Sequence, residues 1–148
     1  MSRNKMTERE TVFDPLRKKR VPLTPEEDVR QRFIIWMHEK KGYPLSLMAS
    51  EYSVKYNSRD FRCDIVCFTR DMAPGIIIEC KAPEIRINGK VADQIARYNM
   101  ILKVKYLIIT NGVVTFAAKY DESGGKYVFI KSIPDYKELD DGNTGSKK

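Results

Sequence analysis

Two short apolar runs of this chain carry charges where burial would normally exclude them. The first reads Arg62-Cys63-Asp64-Ile65-Val66-Cys67-Phe68 and the second Gly75-Ile76-Ile77-Ile78-Glu79-Cys80-Lys81. Both are rich in β-branched residues, bounded by turn formers and too short for helices, so both predict strands. The polar segment 69–74 between them suits a hairpin. If Phe68 faces Gly75, paired residue numbers sum to 143 and Asp64 falls directly across from Glu79. Residues across an antiparallel ladder share a face, with Cβ atoms about 5 Å apart, and like charges placed there destabilise the sheet. A divalent cation removes that cost, because Mg²⁺ takes carboxylate oxygens at about 2.1 Å. Lys81, two residues past Glu79, shares its face. One face of one hairpin thus offers two metal ligands, Asp64 and Glu79, and a cation, Lys81, a set suited to phosphodiester hydrolysis. The bland alternative is a charge pair at a sheet edge, with Lys81 neutralising one carboxylate.

The elements that must position this set are also legible. A helix is predicted from Thr24, a good N-cap, with Pro25 at the first helical position and Glu27 completing a capping box. Val29, Phe33, Trp36 and Met37 follow at helical spacing, and Gly42 ends the run. On a helical wheel Glu26 lies on the stripe of Val29, Phe33 and Met37, and Glu27 sits about 100° away. Glu27 has its capping task. Glu26 points towards the core without one, which favours it as a third acid near the metal; helix-dipole complementarity explains it as well. Strands are expected over 45–56, 61–68 and 75–81, then a helix over 91–102, a buried strand over 106–110, an Asn111-Gly112 turn, and strands over 113–118 and 126–131. The order, helix, three strands, helix, strand and a final hairpin, predicts an α/β fold: a mixed sheet with helices packed on it.

Gln94 and Tyr98 are four apart on the second helix and share a face, which ordinary packing of Tyr98 explains equally well. Glu51 is either a further acid or an exposed strand residue. His38, the lone histidine, reads as a surface residue, so histidine catalysis is not expected. Neither a Gly-rich phosphate loop nor a Ser/His/Asp arrangement can be assembled.

The chain has 148 residues, enough for one domain with a real core. Its first ten residues lack the apolar stretch of a signal peptide, and no apolar run approaches the roughly 20 residues of a membrane span. The three cysteines, Cys63, Cys67 and Cys80, fail as a zinc site. In the register above all three point to the face opposite Asp64, as small core residues in a reducing cytoplasm. The net charge of +7 permits attraction to nucleic acid. The run Arg17-Lys18-Lys19-Arg20 is either a solvated segment or a phosphate contact. Residues 1–12 read as a flexible N-terminus, 13–136 as the folded domain, and 137–148 as a disordered tail.

Together these residues resemble the PD-(D/E)xK nuclease superfamily. The resemblance is closer to one family within it, the N-terminal nuclease domain of type I restriction enzyme R subunits, which also occurs as short stand-alone proteins. It spans about residues 13–136. It is carried by Phe13-Asp14-Pro15-Leu16-Arg17-Lys18-Lys19, Leu23-Thr24-Pro25-Glu26-Glu27-Asp28-Val29-Arg30-Gln31, Arg62-Cys63-Asp64-Ile65-Val66, Ile78-Glu79-Cys80-Lys81-Ala82-Pro83, Gln94-Ile95-Ala96-Arg97-Tyr98-Asn99 and Thr110-Asn111-Gly112. The resemblance implies a restriction-endonuclease-like core and a Mg²⁺- or Mn²⁺-dependent DNA endonuclease acting in the cytoplasm. Asp64 and Glu79 would hold the metal with the Cys80 backbone carbonyl as a further ligand. Lys81 would position the attacking water and stabilise the pentavalent phosphate, and a helix-one acid, Glu26 or Glu27, would complete the acidic cluster. Gln94 and Tyr98 would match a Gln-x-x-x-Tyr motif that supports the site and contacts DNA. An R subunit carries a helicase-like motor after this domain, and nothing of it follows Lys148, so a separate motor or specificity protein joins DNA among the expected partners. The alternative function is a catalytically silent module of the same fold that binds nucleic acid or a partner.

Overall fold

The computed structural model describes residues 10–139. Its centre is a six-stranded mixed sheet in the order β3 (Met48–Tyr56), β4 (Arg59–Phe68), β5 (Pro74–Cys80), β6 (Tyr106–Thr110), β7 (Thr115–Asp121) and β8 (Lys126–Ile130). Every neighbouring pair is antiparallel except β5 and β6, which run parallel. That parallel step requires a crossover, supplied by helix α2 (Gly89–Asn99). Helix α1 (Pro25–Lys41) precedes the sheet.

The sheet separates two cores, and the period-2 alternation of β5 and β6 assigns each side chain to one of them. Ile76, Ile78 and Ile108 pack with Val29, Ile34 and Met37 of α1. Ile77, Leu107 and Ile109 pack with Ala92 and Ala96 of α2. This is why β6 is apolar along nearly its whole length: both of its faces are covered. Among the described residues no helix is long and apolar enough to cross a membrane.

Helix α1 begins and ends where its sequence predicts. The Thr24 hydroxyl accepts the Glu27 backbone N–H at 3.0 Å, and Gly42 closes the helix at φ +79°. Its buried face differs from the expected stripe. Ile34 and Met37 are buried together with the polar Glu27, Arg30 and Gln31, whereas Trp36 is exposed. Leu45–Leu47 forms a single 3-10 turn before β3 instead of the start of a strand. Met100–Leu102, expected as the end of the second helix, is likewise a 3-10 turn.

The N-terminal segment departs most from expectation. Thr11–Asp14 (β1) and Lys19–Pro22 (β2) form a separate antiparallel hairpin, so Thr11 and Val12, read as part of a flexible terminus, lie within a strand. Its turn is closed by the Asp14 carboxylate, which accepts the Leu16 N–H at 2.8 Å, and by Lys18 at φ +57°. Four-residue strands give too little alternation to be read from sequence. At the other end, residues 136–139 are helical and Leu139 is fully buried, so 137–139 form structure inside the stretch read as a disordered tail. The remainder of both terminal readings, 1–9 and 140–148, lies outside the described residues.

Candidate active site

The β4–β5 hairpin has the expected register over most of its length. Ile65 pairs with Ile78, Val66 with Ile77 and Cys67 with Ile76, all summing to 143. At the turn a bulge intervenes and Phe68 faces Pro74, not Gly75. A Cβ on Gly75 would stand 3.1 Å from the Leu139 side chain, so the hairpin turn is packed under the C-terminal helical turn.

At the other end of β4 the alternation breaks. Cys67 and Cys80 join Ile65 in the core under α1, but Cys63 belongs to the core under α2. The three cysteines therefore do not share one face. The break coincides with Glu51 on β3, held at φ +53°, where Ser50 pairs with Ile65 and Tyr52 with Cys63 but Glu51 and Asp64 do not pair. An αL conformation costs a non-glycine residue roughly 1–2 kcal/mol, and such irregularities re-aim side chains beside functional sites. All three thiols are free and buried, and burial pushes Cys63 up to about 12, so they are inert core residues.

Asp64, at this break, has both carboxylate oxygens held. Oδ2 accepts the Cys80 backbone N–H at 2.6 Å and Oδ1 accepts Arg30 Nη1 at 3.3 Å. The first bond draws Asp64 onto the end of β5, next to Glu79. Lys81 Nζ lies 3.5 Å from Glu79 Oε2. The side chains of Asp64, Glu79 and Lys81 are 18%, 25% and 37% exposed, half-buried at an open surface. Burial raises the Asp64 carboxyl above the usual carboxylate range, and the nearby Glu51 charge adds to the rise. Glu79 is raised by burial and then by the Asp64 charge, against the pull of Lys81. Two oxygen donors whose ionised forms are disfavoured by burial and mutual repulsion are the donor set a hard divalent cation fits. Among the described residues no group of three or more His, Cys, Asp or Glu converges as a complete side-chain metal site. A bound ion would accordingly need a backbone carbonyl, such as that of Cys80, or solvent to complete its shell.

The two helix-one acids are arranged opposite to expectation. Glu26 is exposed, not directed to the core, and reaches Glu79 only through its charge. Glu27 is buried, and its carboxylate does not close a capping box. It accepts Arg17 Nη2 at 2.9 Å, Arg30 Nε and Nη2 at 3.2 and 3.1 Å, and Gln31 Nε2 at 2.8 Å. Arg17 also bonds Asp14 on the N-terminal hairpin. Arg17 is therefore an internal residue of this network, whereas Lys18, Lys19 and Arg20 lie toward solvent, Arg20 resting on Thr11. Arg30 is the residue that sequence reasoning missed. Buried on α1, it bridges Glu27, Asp64 and Glu51. Its signal was present: Glu27, Arg30, Gln31 and Ile34 form an i, i+3, i+4, i+7 stripe, continued by Met37 at i+10, once polar residues are admitted to it.

Gln94 and Tyr98 are both exposed on α2, with the Tyr98 ring 5.5 Å from Phe61. His38 is a surface residue whose Nδ1 lies 2.8 Å from the Tyr43 carbonyl, beyond the helix end. A cleft of about 820 Å³ between α1 and strands β6–β8 contains none of Asp64, Glu79 and Lys81.

Residues 25–134 match the family described as type I restriction enzyme R protein N terminus (HSDR_N). The chain belongs to this family. A fragment structure assigned as an HsdR subunit of a type I restriction enzyme from Vibrio vulnificus YJ016 shares the fold, with a TM-score of 0.56 and 21% identity over 84% of this chain. This chain spans 26% of that one's length. No curated protein sequence matches significantly. The HSDR_N match begins at Pro25, so the β1–β2 hairpin that supplies Asp14 and Arg17 lies outside the matched span.

Proposed function

We propose that this HSDR_N chain is a metal-dependent DNA endonuclease domain that hydrolyses phosphodiester bonds, with Asp64, Glu79 and Lys81 as its catalytic residues. The observation that carries the reading is the bond from the Cys80 N–H to Asp64, which holds one acid beside Glu79 and Lys81 at one end of β5. Asp64 and Glu79 would hold Mg²⁺ or Mn²⁺ with the Cys80 carbonyl, and Glu26 adds negative charge from the first turn of α1. When bound, the ion supplies Lewis acidity at the scissile phosphate. The chain's own residues do the rest. Lys81 directs its ammonium to the phosphate oxygens, orients the attacking water and offsets charge as the water oxygen bonds to phosphorus and gives up a proton to solvent while the leaving oxygen departs and takes one from solvent. Asp64 stays fixed because both of its oxygens are already bonded. Lys18 and Lys19, at the hairpin turn, supply phosphate contacts for the duplex. The restriction-system setting, a cytoplasmic location and a separate motor or specificity partner belong to the same proposal.

The competing reading, a silent DNA- or partner-binding module, draws on Arg30, which occupies an Asp64 oxygen that a metal could use. Plasmid cleavage with Mg²⁺ or Mn²⁺ decides between them. Nicking or linearisation that stops with excess EDTA and in Asp64→Ala is expected. A folded wild type that binds DNA but never cuts it, with either ion, leaves the binding module in front.

A further inference from the structure

Arg30 is placed as a bridging cation. Its Nη1 lies 3.1 Å from Glu51 Oε2 and 3.3 Å from Asp64 Oδ1, between two carboxylates of different strands. In two-metal phosphodiesterase sites a second cation sits about 3.5–4 Å from the first, and a cation shared by two carboxylates is what Arg30 already supplies. We propose that the Arg30 guanidinium takes that position here, so that the site holds one divalent ion, between Asp64 and Glu79, and Arg30 is a permanent positive charge in place of a second. The proposal rests on the metal-site reading above.

Three features support it. Arg30 cannot swing out, because its other edge is bonded twice to Glu27, and Glu27 is fixed in turn by Arg17 and Gln31. A guanidinium also does not lose its charge at any working pH. The charge balance agrees. Arg17 offsets Asp14, and Arg62, which bonds Glu51, is largely in solvent. With the exposed Glu26 set aside like the exposed Arg62, the buried and half-buried carboxylates Glu27, Glu51, Asp64 and Glu79 face two cations, Arg30 and Lys81. Four against two leaves two negative charges, which one divalent ion neutralises. A second ion would leave an uncompensated double positive charge in a half-buried site, which is costly. Arg30 is thus a positioning residue, holding Asp64 and Glu51 apart from a second metal.

The test is Mn²⁺ binding, counted by titration calorimetry and characterised by electron paramagnetic resonance, with no turnover required. Wild type should bind one Mn²⁺ per chain with the spectrum of an isolated ion, and Asp64→Ala should lose it. Arg30→Lys, which keeps a charge, should also bind one. Arg30→Gln should bind two, and Arg30→Gln/Glu51→Gln should return to one. Circular dichroism checks that each variant folds. If Arg30→Gln does not fold, the wild-type spectrum still decides, since two exchange-coupled Mn²⁺ ions per wild-type chain would overturn the proposal. A folded Arg30→Gln that stays at one ion also overturns it, while leaving the nuclease reading intact. A wild type that binds no Mn²⁺, or binds it equally well in Asp64→Ala, removes the metal-site reading and this inference with it.

Discussion

Replacing Glu27 by alanine separates two accounts of one residue. If its side chain only completed a helix cap, the loss would be about 1 kcal/mol or less, as for other caps. In the structure the cap does not use that side chain at all: the Thr24 hydroxyl takes the Glu27 backbone N–H, which alanine retains. The carboxylate instead accepts four hydrogen bonds, from Arg17, Arg30 twice and Gln31. Arg17 is partly open to solvent and keeps Asp14, so its share of the loss is small. Arg30 is only 6% exposed and would be left with Glu51 and Asp64 as its remaining partners. Removing one partner of a buried ion pair typically costs about 3–5 kcal/mol where the other charge is left uncompensated, and the two acids that Arg30 keeps place this loss at the lower end. With a urea dependence of about 2 kcal/mol/M, the unfolding midpoint should fall by roughly 1.5 M. Urea denaturation of wild type, Glu27→Ala and Thr24→Ala makes the comparison, with Thr24→Ala expected to lose about 1 kcal/mol. A Glu27→Ala protein no less stable than Thr24→Ala would refute the view that this carboxylate is the keystone of the network.

Three further outcomes are expected. Lys81→Ala should still bind Mn²⁺ but cut DNA about 10²–10³-fold more slowly, the usual consequence of removing one charge-stabilising donor; cleavage at the wild-type rate would discard Lys81 as a catalytic residue. Because the folded Glu79 carboxyl is raised above its ordinary 4.5, the metal-free folded state binds the proton more tightly than the unfolded state and loses stability as pH rises through that raised value. Glu79→Gln should therefore stabilise the metal-free protein at pH 7, with the gain vanishing as pH falls below 4.5 and with Mn²⁺ binding weakened, as read by thermal melts across pH with and without the ion. Lys18→Ala and Lys19→Ala should each lower the salt slope of duplex binding by about 0.9 for every phosphate that the lysine had neutralised, whereas Arg17→Ala should chiefly lower stability; equal salt slopes in both lysine variants and wild type would remove the hairpin from the DNA interface.

Everything legible in the residues alone obeys short-range rules. The β4–β5 register followed from two apolar runs and a turn, because a slip of one residue would move every isoleucine to the wrong core. The ends of α1 followed from Thr24, Pro25 and Gly42, each of which acts on backbone groups within one turn. The apolar run of β6 announced a strand covered on both faces. What escaped was whatever depends on partners distant in the chain. Arg30 looks like an ordinary surface arginine until Asp64, 34 residues away, and Glu51 close over it. Glu26 and Glu27 exchanged their expected surroundings because the buried stripe of α1 is partly ionic, and an ionic stripe is invisible to a pattern of apolar residues. Cys63 changed sides because β3 breaks its pairing at Glu51, and a positive φ on a glutamate leaves no trace in composition. Local hydrogen bonding and alternation are written in neighbouring residues, but the burial of a charge becomes tolerable only after folding has assembled its counter-charges, so tertiary structure alone decided which acids stand beside Lys81 and which are held by arginine.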